Sequence, residues 1–295
     1  MTMESIMLLN RIAMFLLLIL VFLTGFPHCL RLDIPSFLSL INHILSDSDN
    51  SNNNNSGSSG NTFTPAIGVL DTSFNSPNGF IIQPIGSGND YGRSLAIQPD
   101  GKILLGGYCR GVISQADFCI ARFNSYGTLD TSFGYSGKVI EPIGSGIDIG
   151  YSLAIQPDGK ILLGGYCDGD FCIARFNSDG TSNGTLDTSF GNSGKVRLAI
   201  GSSSDFGQSL VIQPDRKILL GGYCHNGSNF DFCIARFNTD GTLDTTFGNG
   251  GKVIQPIGSG DDHGYSLAIQ PDGKILLGGN CRSGSNDDFC IARFK

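Results

Sequence analysis

The chain has 295 residues, 40% of them hydrophobic, with 42 glycines, nine cysteines and a formal net charge of −7. That hydrophobic share excludes disorder throughout, and glycine at about twice its ordinary share of roughly 7%, without a collagen period, points to many short strands joined by tight turns. The basic residues recur singly and form no cluster, which excludes nucleic acid as a partner.

After Arg11 an apolar run of 15 residues extends from Ile12 to Phe26. It matches the core of an export signal and is short for a bilayer span, which takes about 20 residues. A retained N-terminal anchor is the alternative. Cys29 follows the run directly, where a bacterial lipoprotein carries its acylated cysteine, although Phe26, Pro27 and His28 stand where such signals place small residues. Residues 1–29 are therefore read as a signal peptide or lipoprotein signal, ending either in lipidation at Cys29 or in simple cleavage. Residues 30–63, nearly all Ser, Asn, Gly and Asp from Ser46 to Asn61, read as a flexible tether, and 64–295 as one repeat domain. The expected location is outside the cytosol, as an outer-membrane or cell-surface lipoprotein or as a secreted protein, with the membrane touched only through the N-terminal anchor.

The repeat decides the fold. Leu70-Asp71-Thr72-Ser73-Phe74 returns at Leu129, Leu186 and Leu243, and Gln98-Pro99-Asp100 returns at Gln156, Gln213 and Gln270, at spacings of 57 to 59 residues. That period suits a four-stranded propeller blade. Within the first unit, strand a is read at 94–97, followed by the turn Pro99-Asp100-Gly101. Strand b is 103–109, strand c 118–123 and strand d 139–143. Strand b is almost wholly apolar, as a strand covered on both faces should be. Pro84, Pro142 and Pro256 are placed in strand d, which makes d the outer edge. The fold class is therefore all-β: a four-bladed β-propeller of four-stranded antiparallel blades. The repeats begin with a spare d strand, Phe80 to Pro84, and end after a c strand, Phe289 to Phe294. The N-terminal outer strand is thus expected to pair with the C-terminal blade and close the ring, with an open arc or two chains in an eight-bladed ring as alternatives.

The recurring strings Gly-Thr-Leu-Asp-Thr-Ser-Phe-Gly, Ser-Leu-Ala-Ile-Gln-Pro-Asp-Gly-Lys-Ile-Leu-Leu-Gly-Gly and Asp-Phe-Cys-Ile-Ala-Arg-Phe-Asn resemble the delta-60 repeat family of bacterial propellers, over about residues 68 to 295. The resemblance implies a propeller in a surface or secreted protein and no general activity. Three local departures stand out: Arg216 in place of a turn glycine, Leu198-Ala199 in place of the strand d proline motif, and an insertion at 181–184.

Eight cysteines fall two per unit: Cys109 with Cys119, Cys167 with Cys172, Cys224 with Cys233, and Cys281 with Cys290. Each pair flanks the b–c loop, so four hairpin disulfides are expected; buried free thiols are the alternative. Asp90, Asp148, Asp205 and Asp262 recur before strand a, each followed by a variable residue and Gly. Gathered at a channel mouth, four carboxylates suit a Ca²⁺ ion; the alternative is a turn residue bonded to its own backbone. No other cofactor is expected. Asp71, Asp130, Asp187 and Asp244 are expected to face Arg122, Arg175, Arg236 and Arg293 as repeated bidentate pairs that build the ring.

What differs among the units lies in the d–a and b–c loops: Tyr91, Arg93, Arg110, Ile149, His225, Phe230, His263 and Arg282. Loops on a rigid scaffold commonly carry recognition, and relaxed surface drift is the plain alternative. The function read from this is a non-enzymatic binding module for a protein or glycan, with no catalytic residue. The alternatives are a polysaccharide hydrolase or lyase using Asp262 and His263, and a structural envelope protein without a ligand.

Overall fold

The computed structural model describes residues 68–110, 115–178 and 183–295, within the compact unit Ile67–Lys295. The export signal, Cys29 and the tether lie outside the described residues. Among those residues no helix is long and apolar enough to cross a membrane. The first unit contains β1 (Asp90–Ile97), β2 (Ile103–Arg110), β3 (Ala116–Phe123) and β4 (Lys138–Glu141). The second contains β5 (Asp148–Ile155), β6 (Ile161–Cys167), β7 (Asp170–Phe176) and β8 (Lys195–Leu198). The third contains β9 (Asp205–Ile212), β10 (Ile218–His225), β11 (Phe230–Phe237) and β12 (Lys252–Gln255). The last contains β13 (Asp262–Ile269), β14 (Ile275–Ser283) and β15 (Asn286–Phe294). Each unit is one antiparallel sheet in chain order, with four strands in the first three and three in the last. These are the blades expected from the repeat; strand b falls where the sequence places it, while strands a and c begin earlier than expected, at Asp90 and Ala116 in the first unit.

Two features of strand d correct the expectation. Pro142 and Pro256 follow the last residues of β4 and β12 and do not lie within them, because a residue without an N–H ends the ladder. Residues 80–85 form no strand, and among the described residues the sheet of β13 to β15 has no fourth member. The expected closing pair between the N-terminal segment and the C-terminal blade is not made. The segment is held elsewhere, with the N–H of Asn75 donating to the carbonyl of Tyr126 in the first blade.

The blades stack in sequence through one recurring face. Leu104, Phe118, Ile120 and Val139 of blade one are buried against Leu153, Ile161, Leu163 and Phe176 of blade two. Corresponding residues join blade two to three and three to four. The Gly-Gly pair of strand b serves this contact. A Cβ on Gly106 would lie 2.7 Å from Leu153 of the next blade, and one on Gly107 would lie 1.9 Å from the carbonyl oxygen of Tyr91 in its own sheet. The inner strands add a polar link: Leu153 N–H donates to Ser94 Oγ, Leu210 N–H to Ser152 Oγ and Leu267 N–H to Ser209 Oγ.

Arginine ties the outer turns together. Arg122 pairs with Asp130 at 2.8 Å, Arg175 with Asp187 at 2.8 Å and Arg236 with Asp244 at 2.7 Å. Their guanidinium groups lie 4.5 to 4.6 Å from the ring centres of Phe133, Phe190 and Phe247. Each guanidinium meets its carboxylate through one nitrogen, with a lysine (Lys102, Lys160 or Lys217) on the same oxygen, so the pairs are not bidentate. Of the remaining nitrogens, Nη1 of Arg122 reaches the Ser178 carbonyl and Nη1 of Arg175 the Thr239 carbonyl, both in the next blade. Each arginine thus binds the aspartate that follows it in its own unit and not the one before, and Asp71 accepts from Ser73 in place of Arg122. The four expected disulfides are all formed, each with Cα atoms 5.8 or 5.9 Å apart. Disulfides persist in oxidising compartments, which places the folded domain outside the cytosol.

Burial pushes the Asp187 carboxyl up, but hydrogen bonds from Ser189 and Lys160 and the nearby Arg175 outweigh it and hold the group at about 2, below its ordinary 3.8. A depressed carboxyl adds stability above its unfolded value that disappears as the pH falls through the folded one. Acid unfolding is therefore expected to steepen between pH 3.8 and about 2, and Asp187→Asn to flatten that limb; an unchanged limb would remove the pair from the stability balance. Arg216 has φ of 69°, the left-handed region expected where it replaces glycine. Such a backbone costs a side-chain-bearing residue about 1 kcal/mol, so Arg216→Gly is expected to raise stability in urea by up to about 1 kcal/mol.

Candidate recognition site on the inner strands

The d–a loops are built by the repeated aspartates. After the proline or its substitute ends strand d, the chain turns and exposes two N–H groups that only a side chain can satisfy. Asp90 accepts from Ile85 and Gly86, Asp148 from Ile143 and Gly144, Asp205 from Ile200 and Gly201, and Asp262 from Ile257 and Gly258, at 2.6 to 3.1 Å. Asp148, Asp205 and Asp262 have no exposed surface. Burial raises the carboxyls of Asp148 and Asp205 against the pull of those N–H groups. This is the backbone-bonding role, and among the described residues no three His, Cys, Asp or Glu gather in a set able to hold a metal ion.

Immediately after each aspartate the inner strand bulges. The register of β1 against β2 shifts between Gly92 and Ser94, leaving Arg93 without a cross-strand partner. The same shift leaves Tyr151, Gln208 and Tyr265 unpaired in the other blades. A bulge bends the strand and re-aims the extra side chain. Four inner strands thus present Arg, Tyr, Gln and Tyr at one equivalent position on an otherwise repeated frame.

Rings gather around these four. Tyr91 stacks on Tyr108 at 4.7 Å, and the guanidinium of Arg93 lies 6.0, 5.5 and 5.9 Å from the centres of Tyr91, Tyr108 and Tyr151. Tyr151 bonds Gln208. Phe206 is stacked between Tyr166 at 4.7 Å and Tyr223 at 4.9 Å. Tyr223 meets His263 edge-on at 4.5 Å, and His263 lies parallel to Tyr265 at 6.2 Å. Phe230 packs edge-on against His225 and Tyr223. Burial, with Tyr151 and Tyr265 nearby, pushes the Tyr223 phenol up to about 12, so it remains a protonated donor at neutral pH.

The structure therefore brings together Tyr91 and Arg93 at one end of a strip and His225, Phe230 and His263 at the other, with Ile149 between them opposite Tyr166. Arg110 and Arg282 stand apart, at the ends of strands b: Arg110 exchanges backbone bonds with the d–a loop, and Arg282 is exposed and paired with Asp287. Sequence reasoning missed Tyr108, Tyr151, Tyr166, Phe206, Gln208, Tyr223 and Tyr265. The signal for Tyr151, Gln208 and Tyr265 was present, as the second variable place in Asp-x-Gly-x-Ser. Tyr108, Tyr166 and Tyr223 repeat, and so read as frame.

Fold and site together define a β-propeller repeat protein, with an inner-strand face that varies on a constant frame. Segments 98–133, 156–190, 213–247 and 270–295 match the family described as "Domain of unknown function (DUF5122) beta-propeller". No curated protein matches the chain. Among solved structures, an endo-arabinase from Bacteroides thetaiotaomicron is 14% identical with a TM-score of 0.38, over 68% of this chain and 73% of that one. Sqt1 from Chaetomium thermophilum is 17% identical with a TM-score of 0.36, over 65% of this chain and 42% of that one. An alpha-L-arabinofuranosidase from Clostridium thermocellum is 10% identical with a TM-score of 0.38, over 71% and 70%. Similarities this distant assign no activity.

A carboxylate that satisfies two N–H groups in a dry loop cannot be removed cheaply, since each buried donor left unpaired costs about 1–3 kcal/mol. Asp205→Ala is expected to lose about 3 kcal/mol in chemical unfolding whether or not calcium is present. Stabilisation of the wild type by added calcium that the variant does not share would instead return this aspartate to the ion-binding reading.

Proposed function

We propose that the domain is a non-enzymatic binding module that takes a glycan along the inner-strand strip. The observation that carries this reading is the bulge series Arg93, Tyr151, Gln208 and Tyr265. At a bulge, where a side chain can change without disturbing the ladder, this chain puts four groups suited to sugar recognition. Tyr faces lie against the C–H faces of a pyranose, while the phenol, amide and guanidinium meet its hydroxyls. Tyr91 and Tyr265, at the two ends of the strip, are exposed. Of the repeated aspartates near the strip, three are buried and committed to backbone N–H groups, which supports a role in binding over acid–base chemistry with Asp262.

The test is binding of the full chain to a panel of soluble and insoluble polysaccharides. Saturable binding is expected, with Tyr91→Ala and Tyr265→Ala each weakening it at least tenfold while the far-ultraviolet circular dichroism is unchanged. Tenfold corresponds to about 1.4 kcal/mol, in the range of one lost ring contact. Absence of binding to every polysaccharide, or binding indifferent to both substitutions, sinks the glycan reading; turnover of a polysaccharide sinks the non-enzymatic one.

A further inference from the structure

The stacking face that joins the blades is left unused at both ends of the described domain. On the leading face of blade one, Leu95 is 61% and Leu105 38% exposed, whereas their counterparts Leu153, Leu163, Leu210, Leu220, Leu267 and Leu277 are all buried. On the trailing face of blade four, Phe289 is fully exposed and Ile291 72% exposed, whereas Phe118, Phe171, Phe232, Ile120, Ile173 and Ile234 have no exposed surface. A Cβ on Gly278 would find its nearest neighbour 3.6 Å away in its own sheet, whereas Gly106, Gly164 and Gly221 are each closed off by a leucine of the next blade. Among the described residues Ser266 Oγ receives no leucine N–H, although Ser94, Ser152 and Ser209 each do.

The segment before β1 shows what belongs there. Asp71, Phe74, Ile81, Ile82 and Gln83 occupy the repeat positions of Asp130, Phe133, Val139, Ile140 and Glu141, the outer part of a blade. Asn75 donates to the Tyr126 carbonyl as Gly191, at the same repeat position, donates to the Asp240 carbonyl across an established blade contact. The segment therefore lies where the outer part of a preceding blade would lie, and among the described residues no inner three strands accompany it. Between the segment and blade one runs an open groove of about 390 Å³, lined by Phe74, Ile81 and Ile85 on one side and by Leu95, Leu105 and Phe123 on the other. A three-stranded sheet with an exposed trailing face is the shape this groove lacks. The same chain carries one, in β13 to β15, but β13 does not pack against β1 as consecutive inner strands do.

We propose that two copies of the chain associate head to tail, the sheet of β13 to β15 in each entering the groove of the other. The segment 80–83 of one copy then becomes the fourth strand of the other's last blade. The register follows from the complete blades, where Ile120 faces Val139 and Ile234 faces Val253: Ile291 faces Ile81 of the second copy. Arg293 meets Asp71 and Phe74 as Arg122 meets Asp130 and Phe133, Ser266 Oγ receives the N–H of Leu95, and Leu95 covers Gly278. The contact repeats, with the same residue types, a face already formed three times within one chain, which is why the occupant is a second copy and not an unrelated protein. Two such seams close a two-fold ring of eight blades.

Native mass spectrometry of the full chain should find twice the chain mass. The decisive arm uses two differently tagged full-length chains in a Cys29→Ser background, one with Ile81→Cys and the other with Ile291→Cys, co-expressed and treated with a short bis-maleimide. A covalent pair carrying both tags, absent when either cysteine is omitted, is the expected result. A double variant that crosslinks only within one chain would show closure of a single four-bladed ring and overturn the proposal. So would a monomer without any crosslink, or assemblies larger than a pair.

Discussion

Everything in this domain depends on one contact, the trailing face of a blade against the leading face of the next. A four-stranded sheet of this size cannot bury its own two faces, so each blade is stable only between neighbours. The contact sets the sequence more tightly than strand propensity does. Glycine is poor in the middle of a strand, yet strand b carries two in succession in each blade, because one must admit a leucine from the next blade and the other the carbonyl of the bulged inner strand. The apolar residues of strand b then alternate between the two neighbours: Leu162 packs towards blade three, and Ile161 and Leu163 towards blade one.

The polar repeats serve the same end. Arg122 is buried, and its charge is matched by Asp130 at 2.8 Å, its plane by Phe133, and a third side by the Ser178 carbonyl of the next blade. A buried guanidinium is tolerable only when its donors are met, so the group fixes the rotation of one blade on the next as well as their distance. The aspartates at the d–a loops do the corresponding work at the opposite edge of the inner strand. Both sets bond groups of the frame itself, the arginines to aspartates and to carbonyls of the next blade and the aspartates to backbone N–H groups, and they do so in blade after blade.

This explains what was legible in the sequence. The period gave the blade, the Pro-Asp-Gly turns and the cysteine pairs gave the strand boundaries and the hairpin disulfides, and Arg216 announced its left-handed backbone. All are local signals repeated several times. The bulge was not legible, because its sequence mark is only a glycine on one side and a serine on the other, and a bulge is decided by the ladder of two strands together. Without the bulge, Tyr151, Gln208 and Tyr265 read as ordinary alternating residues and Arg93 stands out only as one variable loop position, so the strip they form with Tyr108, Tyr166 and Tyr223 dissolves into frame and loop. The position of the N-terminal segment was half legible: its likeness to strand d was plain, but which sheet it serves depends on how far the arc curves, and that is a property of all three blade contacts summed.

Ring closure and recognition meet at the ends of the strip. Within the chain, Arg93 of blade one lies 5.9 Å from the ring of Tyr151 in blade two, one step along the inner strands. Tyr265 of blade four occupies the same bulge position and is exposed, and among the described residues no further blade follows on its trailing side. In a head-to-tail pair the neighbour it gains is the bulge of blade one of the second copy, which carries Arg93. The two strips would then run on into one another, with a tyrosine and an arginine meeting across each seam as they already meet between blades one and two. A strip confined to one arc offers about four inner-strand positions and suits a short stretch of an extended ligand. A strip continued around a closed ring presents each position twice, related by the two-fold axis, and so favours a repeating polymer over a small molecule. The frame that hides its constant residues in the blade contacts thereby leaves the varied ones along the inner strands, where a substitution changes the exposed chemistry without changing how the blades stand.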